Sequence, residues 1–318
     1  MPRTLRFALA LFLVACDGSG GADAGTDATD AGVGDAGEDA MVDACTPTPD
    51  DPFGCEDLTP DPACPASWVV GVTGRIETAD GAAVENARAQ LCVRLYPDDL
   101  LTCLPPPVTD AEGRFAIVVD DGARCQNHAA MRAIAPGMPL ATTYCPVDYP
   151  AGGGPIFEIP DPYALHPVVD ATDLPPVGDE SAQRDVTFAD GLVLTLAPVD
   201  IPLSGDYERL AGAPIDPAAA ACFSGGLVLD GAYGFRPETP VDAGAAVSIP
   251  NTAGLDPGTE VDLYVLGGLE TRLLDGTEVE EGTIGLVGPA TVSADGTAIV
   301  GGADSRLPYL SWLLWKVR

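Results

Sequence analysis

The chain has 318 residues, with 48 acidic and 15 basic side chains and a formal net charge of −33 at pH 7. This charge argues against nucleic acid and anionic membrane surfaces as electrostatic partners, because both attract clustered Lys and Arg. A hydrophobic content of 46% supports a folded core, and the abundance of Gly (37) and Pro (31) favours short strands joined by turns over a helical bundle.

The N-terminus has the pattern of a bacterial secretion signal. Arg3 and Arg6 precede an apolar run at residues 7–14, far shorter than the ~20 residues of a membrane-spanning helix. The run ends in Leu-Val-Ala-Cys and resembles the lipobox of bacterial lipoproteins. The resemblance implies that residues 1–15 are a cleaved signal peptide and that Cys16 becomes a lipid-modified N-terminus. An ordinary signal peptide with an incidental cysteine is the alternative.

Residues 16–66 are predicted to form a disordered acidic tether with a cysteine-containing base. Asp recurs among Ala, Gly and Thr, and neither Lys nor Arg occurs between Arg6 and Arg75. Such a segment buries too little apolar area to offset its ordering entropy, and its like charges extend it. The tract lacks the fixed ligand spacing of a calcium loop, which is the alternative. It resembles the acidic tethers of surface lipoproteins in some Gram-negative bacteria.

After Cys16, eight cysteines remain, as expected for four disulfides in an oxidising compartment. Proximity in the sequence favours a bond between Cys92 and Cys103 and another between Cys125 and Cys145. The pairing among the other four is open, although Cys222 would then tie a distant segment to the base of the tether. These four candidates are Cys45, Cys55, Cys64 and Cys222.

A zinc site is the alternative use of these cysteines. Cys125 and His128 have C-x-x-H spacing, and Cys145 and His166 follow downstream. Structural zinc sites usually contain paired C-x-x-C or H-x-x-x-H units, which this sequence lacks. We therefore predict disulfides here, with neither a metal nor another cofactor.

Residues 67–200 are predicted to form a first β-sandwich. Strands are expected at 68–76, 87–95 and 115–119, with a closing strand at 191–197. In the second of these strands, small and apolar side chains alternate with polar ones. The residues expected to face outward are Arg88, Gln90 and Arg94.

A motif of strands and turns supports this sandwich. Its residues are Val72, Gly74, Asp80, Gly81, Val84, Ala87, Thr109, Asp110, Gly113 and Phe115. The pattern resembles the carboxypeptidase regulatory-like domain, a transthyretin-type β-sandwich. The resemblance implies a structural or recognition module without catalysis, in which the aromatic at position 115 faces the core.

Residues 201–318 are predicted to form a second β-sandwich from six or more short strands. Their order resembles immunoglobulin-like or ZU5-like modules of bacterial surface proteins. The expected strands are 226–235, 247–250, 260–266, 283–287, 290–292, 297–300 and 310–315.

The sequence contains few residues or motifs that are typical of an enzyme active site. It contains neither a G-x-S-x-G elbow nor a P-loop, and its histidines are His128 and His166. A hydrolase would need one of them to face a carboxylate and a nucleophile across a pocket. Trp312 and Trp315 would suit a sugar-stacking platform, but side chains three apart in a strand face opposite sides, which favours a core role.

The sequence thus predicts an all-β, exported, lipid-anchored and non-enzymatic protein of the cell envelope, at the outer membrane or surface of a Gram-negative bacterium. Its expected role is structural or in recognition, with a membrane partner through Cys16 and an extracellular protein or glycan as a possible ligand. A glycan-binding or adhesin-type module and a hydrolase of unknown type are the alternatives.

Overall fold

Eighteen β-strands and four short 3₁₀ helices make up the described part of the computed structural model, namely residue 48 and residues 51–150, 153–203 and 205–318. The predicted all-β class is confirmed, with several sheets in a sandwich-like arrangement. The predicted signal peptide, Cys16 and most of the predicted tether lie outside the described residues. Within the described ranges, no helix has the length and apolar character needed to cross a bilayer.

Nine strands build two sheets in the N-terminal part. One sheet has the order β1-β6-β3-β4, with β7 also paired to β6; the other has the order β5-β2-β8, with β9 also paired to β2. The bounds are β1 Ser67–Trp68, β2 Gly71–Thr78, β3 Arg88–Leu95, β4 Leu100–Cys103, β5 Arg114–Val118, β6 Cys125–Ile134, β7 Thr143–Pro146, β8 Ile156–Glu158 and β9 Tyr163–Leu165.

The two sheets share a core because alternate side chains of each strand are apolar. On β5, Phe115 and Ile117 are buried, whereas Arg114 and Val118 are exposed. On β3, Ala89, Leu91 and Val93 are almost fully buried. The last inward residue of this strand, Leu95, is half-buried. The predicted inward faces of both strands are confirmed.

Contacts in the turn before β5 explain why the sequence motif has Thr109, Asp110 and Gly113 at these positions. The Thr109 hydroxyl donates to the Val84 carbonyl at 2.5 Å. The Asp110 carboxylate accepts from the backbone N–H of Arg114 at 2.8 Å. Gly113 has a φ of +74°, and a Cβ there would lie 2.4 Å from the Ile76 carbonyl oxygen. Only glycine avoids both the strain and the clash.

Nine further strands form the C-terminal sheet, in the order β10-β13-β14-β17-β16-β15-β18, with β12 paired to β14 and β11 paired to β12. The additional pairing of β18 with β14 closes β14, β17, β16, β15 and β18 into a ring. The bounds are β10 Val169–Asp170, β11 Arg184–Thr187, β12 Val193–Leu196, β13 Ala211–Ile215, β14 Gly231–Pro250, β15 Glu260–Leu266, β16 Ile284–Val292, β17 Ala298–Gly301 and β18 Leu307–Val317.

The predicted boundary near residue 200 needs correction. The strand expected to close the first sandwich is β12, which pairs antiparallel with β14 through Leu194 and Val247. Strands β10 and β11 also belong to the C-terminal sheet. β11 pairs with the adjacent β12, but the partners of β10 and β12 follow about forty to fifty residues later in the chain. Local strand patterns therefore contain no information on which sheet this group joins. Residues 231–235 of the strand expected at 226–235 and the whole of the strand expected at 247–250 lie in one long strand, β14.

Strand β18 contributes to both hydrophobic cores. Trp312 and Leu314 belong to the core of the N-terminal sheets, whereas Leu310 and Leu313 belong to the core of the C-terminal sheet. This explains why its residues 307–314 are all buried rather than alternately buried and exposed. Residues 45–318 accordingly form one compact unit.

Candidate functional site

A buried carboxylate, Glu238 on β14, lies at the junction between the N-terminal sheets and the C-terminal sheet. Its side chain is 2% exposed and pairs with Arg132 on β6. The Nη2 and Nε atoms of Arg132 donate to Oε2 at 2.7 and 3.0 Å. A buried charge is tolerated only when it is paired and hydrogen-bonded, so this contact fixes how the sheets meet.

Two tyrosines complete the Glu238 cluster. Tyr309 donates its hydroxyl to Oε1 of Glu238 at 2.7 Å, and Tyr144 donates to the same oxygen. Burial, followed by the nearby Glu238 charge, raises the pKa of both tyrosines above the ordinary value. Burial alone would lower the pKa of Arg132, but Glu238 raises it. The cluster therefore holds one negative and one positive charge, with both phenols neutral.

A second ion pair joins the same two parts of the chain. Arg94 on β3 donates to the carboxylate of Glu281, whose side chain is 1% exposed, at 3.1 Å, and to Glu278 at 2.5 Å. Burial would lower the pKa of Arg94, but the two carboxylates raise it. Arg94 does lie on the outward face of β3, as predicted. The segment that contains Glu281 then covers this face of the strand.

The histidines contribute to packing at this junction. The Nε2 atom of His128 lies 2.9 Å from the Glu281 carbonyl oxygen, and its Nδ1 lies 3.8 Å from Glu280. The ring of His166 meets Trp312 edge to face at 5.4 Å, and burial lowers its pKa. Among the described residues, neither histidine forms a hydrogen bond with a hydroxyl nucleophile, so the contacts do not favour the hydrolase alternative.

The disulfides agree only partly with the prediction. Cys92 and Cys103 are bonded, as expected. The predicted bond between Cys125 and Cys145 is wrong, because Cys125 pairs with Cys64 and Cys145 pairs with Cys222. In the antiparallel pairing of β6 and β7, Cys145 lies opposite Met131, far from Cys125 at the start of β6.

These bonds also bear on the two remaining hypotheses for the cysteines. Cys222 was expected to be joined to the base of the tether, but it is bonded to Cys145 on β7. Cys45 lies outside the described residues, so the expectation of a fourth disulfide stays a prediction. The zinc alternative loses Cys125 and Cys145, since both sulfurs are in disulfides, and the described residues contain no group of three suitable ligands.

The predicted core role of the C-terminal tryptophans is confirmed. Trp312 is fully buried, and its Nε1 donates to the Thr142 carbonyl at 2.8 Å. Trp315 packs against the core of the C-terminal sheet. The two rings therefore lie on opposite faces of β18 and do not form a shared sugar-stacking platform.

Sequence reasoning missed Glu238 and its partners. Arg132 and Glu238 are 106 positions apart, and no spacing rule connects residues at that distance. A usable signal is the single charge in the apolar run of Ala129, Ala130, Met131 and Ala133, since an Arg on such a strand requires a partner.

The protein has few similarities to known ones. No protein-family model matches the sequence, and no curated protein is significantly similar to it. One of the matching solved structures is that of the Corynebacterium diphtheriae major pilin SpaA, which is said to point to a modular pilus assembly and stabilizing isopeptide bonds. It is 10% identical, with a TM-score of 0.20, over 77% of this chain and 57% of the pilin chain. This chain thus spans little more than half of the pilin, and so low a score supports no argument about function.

Proposed function

We propose that this chain is an exported, lipid-anchored, non-enzymatic protein of the bacterial cell envelope that displays a compact β-body on an acidic tether. The three disulfides are typical of proteins that fold in an oxidising compartment. The lipobox-like sequence ending at Cys16 supplies the anchor. The outer membrane or surface of a Gram-negative bacterium is the proposed location.

The observation that carries this proposal is the attachment of the tether's base to the β-body. Cys64 is bonded to Cys125 at the start of β6. The adjacent Arg124, which is buried, pairs with Glu56 and donates from Nε to the Val119 carbonyl at 3.1 Å. Force applied to the lipid anchor would therefore be transmitted to the β-body through the disulfide and a buried ion pair.

A second contact fastens the same segment. The Phe53 side chain is buried against Gly71 on β2, where a Cβ would lie only 2.1 Å from a ring carbon of Phe53. Gly71 thus provides the space into which the segment packs. Such an arrangement suits a display protein, because it keeps the segment before β1 attached to the β-body.

We further propose that the N-terminal sheets are a carboxypeptidase regulatory-like module. The roles of Thr109, Asp110 and Gly113 in the turn before β5 support this proposal, since each residue type is required by a contact. A structural or recognition role follows from it. The contacts of His128 and His166 described above give no support to a hydrolase.

Partitioning into detergent tests the anchor. The full chain, expressed with its own leader in a Gram-negative host, is expected in the detergent phase after phase separation. Cys16→Ala should remain in the aqueous phase or accumulate as precursor, because only a cysteine thiol accepts the lipid. Ser19→Ala, three residues away, is the matched control and should behave like the parent. Equal partitioning of Cys16→Ala and the parent would overturn the anchor.

A further inference from the structure

A pocket of about 590 Å³ is lined by β7, β9 and the segment around the 3₁₀ helix Pro217–Ala220. Its volume is in the range of small-molecule sites, which combine an apolar wall with a few polar groups. The wall includes Val147, Phe157 and Ile159, all buried or half-buried. The polar side chains that line the pocket and matter here are Asp148, Asp161, Tyr163 and His166.

The hydroxyl of Tyr163 is open to this pocket and has no hydrogen-bond partner. Tyr163 is only 5% exposed, and its hydroxyl bonds to none of the residues that the structure describes. In this part of the chain, the buried side-chain atoms that lack a partner belong to Trp68, Arg184 and Thr239, and not to Tyr163. The small accessible part of Tyr163 therefore includes its oxygen, which a molecule in the pocket can reach.

His166 is a second accessible acceptor. Its ring packs against Trp312, and its nitrogens make no hydrogen bond within the described ranges, although neither is buried. Burial lowers the pKa of His166, and the charge of Asp216 offsets this only in part. The ring is therefore neutral at pH 7, and one of its nitrogens can accept a hydrogen bond.

Two carboxylates give the pocket its charge. Asp148 and Asp161 are exposed, and neither forms an ion pair or a side-chain hydrogen bond with a described residue. Burial, and after it the charge of Asp148, raises the pKa of Tyr163, so this carboxylate acts on the hydroxyl. The described lining contains neither Lys nor Arg. The pocket thus presents carboxylate, phenol and imidazole acceptors without a positive charge to balance them.

The Cys145–Cys222 disulfide is part of the wall and fixes the pocket in place. It joins β7 to the segment that contributes Ala219 and Ala221 to the lining. A site whose walls are cross-linked in advance loses less conformational entropy when a ligand binds.

We propose that this pocket binds a small primary ammonium ion with an apolar body. The ammonium group donates to the Tyr163 oxygen near the Asp148 carboxylate, and the apolar body lies against the wall that contains Phe157. Anions are excluded, because the carboxylates and the net charge of −33 repel them. The inference rests on the recognition role proposed above and deepens it, but it does not depend on the lipid anchor.

The test is isothermal titration calorimetry of the full mature chain in detergent micelles, with the heats of titration into protein-free micelles subtracted. The probes are n-pentylammonium and 2-phenylethylammonium, each compared with the neutral alcohol of the same shape. We expect saturable binding of at least one ammonium ion, about tenfold or more tighter than binding of its alcohol. A lysine side chain has the same chemistry, so Nα-acetyl-lysine amide is titrated in parallel and should bind more weakly.

Two variants test the contacts. Asp148→Asn removes a carboxylate from the pocket and should weaken binding of the ammonium ion about fivefold. Asp304→Asn, at an exposed carboxylate outside the pocket, removes the same charge from the chain and is the matched control. It should leave the affinity unchanged. Tyr163→Phe keeps the ring but removes the acceptor, and should weaken binding about tenfold.

Three results would overturn the proposal: no binding of either ammonium ion, equal affinity for an ammonium ion and its alcohol, or equal effects of Asp148→Asn and Asp304→Asn. Tighter binding of Nα-acetyl-lysine amide would also overturn it, in favour of a protein partner. If Tyr163→Phe does not fold, as judged by circular dichroism, Asp148→Asn at its exposed position decides the test. Cys16→Ala should bind the ammonium ion like the parent, so that failure of the anchor and failure of the pocket give different results.

Discussion

Gly74 on β2 lies directly opposite Phe115 on β5, and the Phe115 ring occupies the space that a side chain at position 74 would need. A Cβ on Gly74 would lie 2.7 Å from the tip of that ring. The two residues are therefore complementary, because the absence of a side chain at Gly74 allows the Phe115 ring to lie across the strand. The small residue and the aromatic of the sequence motif form a single packing unit.

Phe115→Ala should lower the free energy of unfolding by about 3–5 kcal/mol, because it removes a buried aromatic and leaves a cavity over Gly74. Arg114→Ala, its neighbour on the exposed face, should cost less than about 1 kcal/mol, since its ion pairs with Asp110 and Glu112 are largely in solvent. Urea unfolding of the whole mature chain measures both. Equal losses would contradict the inward register of Phe115.

Glu238→Gln should destabilise the protein by about 3–5 kcal/mol, because Arg132 would remain buried without its counter-charge. Glu260→Gln is the matched control: Glu260 also pairs with an arginine, Arg318, but both side chains are exposed. The control should cost less than about 1 kcal/mol. The measurement is chemical unfolding at neutral pH. Similar losses for the two variants would show that the Glu238 cluster does not hold the junction.

Stability should fall as the pH rises above about 10. Burial raises the pKa of several tyrosines, so the folded state keeps protons that the unfolded state releases at the ordinary tyrosine pKa of about 10. This contribution is fully present below that pH and is lost as the pH rises towards the folded-state values. Each such tyrosine adds about 1.4 kcal/mol per pH unit to the slope in that range.

Tyr163→Phe tests the titration directly. Burial, followed by the charge of Asp148, raises the pKa of Tyr163. The variant removes one retained proton and should make the alkaline loss of stability less steep by about 1.4 kcal/mol per pH unit. Unfolding measured between pH 9 and 11.5 gives the slope. An unchanged slope would mean that Tyr163 ionises in the folded protein as it does in the unfolded chain.

The disulfides should differ in their contribution to stability. The bond between Cys145 and Cys222 spans 77 residues, and the bond between Cys92 and Cys103 spans 11. In the chain-entropy model, removal of the longer link costs about 4.5 kcal/mol and removal of the shorter one about 3 kcal/mol. Paired Cys→Ala variants, compared by thermal unfolding, should therefore rank in that order. The reverse order would show that local packing outweighs loop closure.

The thiol content is a separate test of the cysteine assignment. Denatured but unreduced mature protein from an oxidising compartment should contain no reactive thiol, and peptide mapping should recover Cys64 linked to Cys125. Stoichiometric zinc together with several free thiols would instead support the metal alternative.

Local pattern predicted much of the fold, and its limits have physical causes. The alternation in β3 and β5 identifies their buried faces, because the side-chain period of a strand is set by its backbone. It does not identify the sheet that β12 joins, because that depends on β14 some fifty residues later. For the same reason the disulfide of Cys145 and the partner of Arg132 were not predictable from spacing.

The ring formed by β14, β17, β16, β15 and β18 affects how readily copies of the protein can aggregate. Each of these strands has a hydrogen-bonded neighbour on both sides, so its backbone groups are already occupied. Open sheet edges recruit strands from other molecules and start aggregation. A lipid anchor would concentrate many copies in two dimensions, where such recruitment is fastest. The closed ring therefore removes these five strands from the edges through which neighbouring copies could pair.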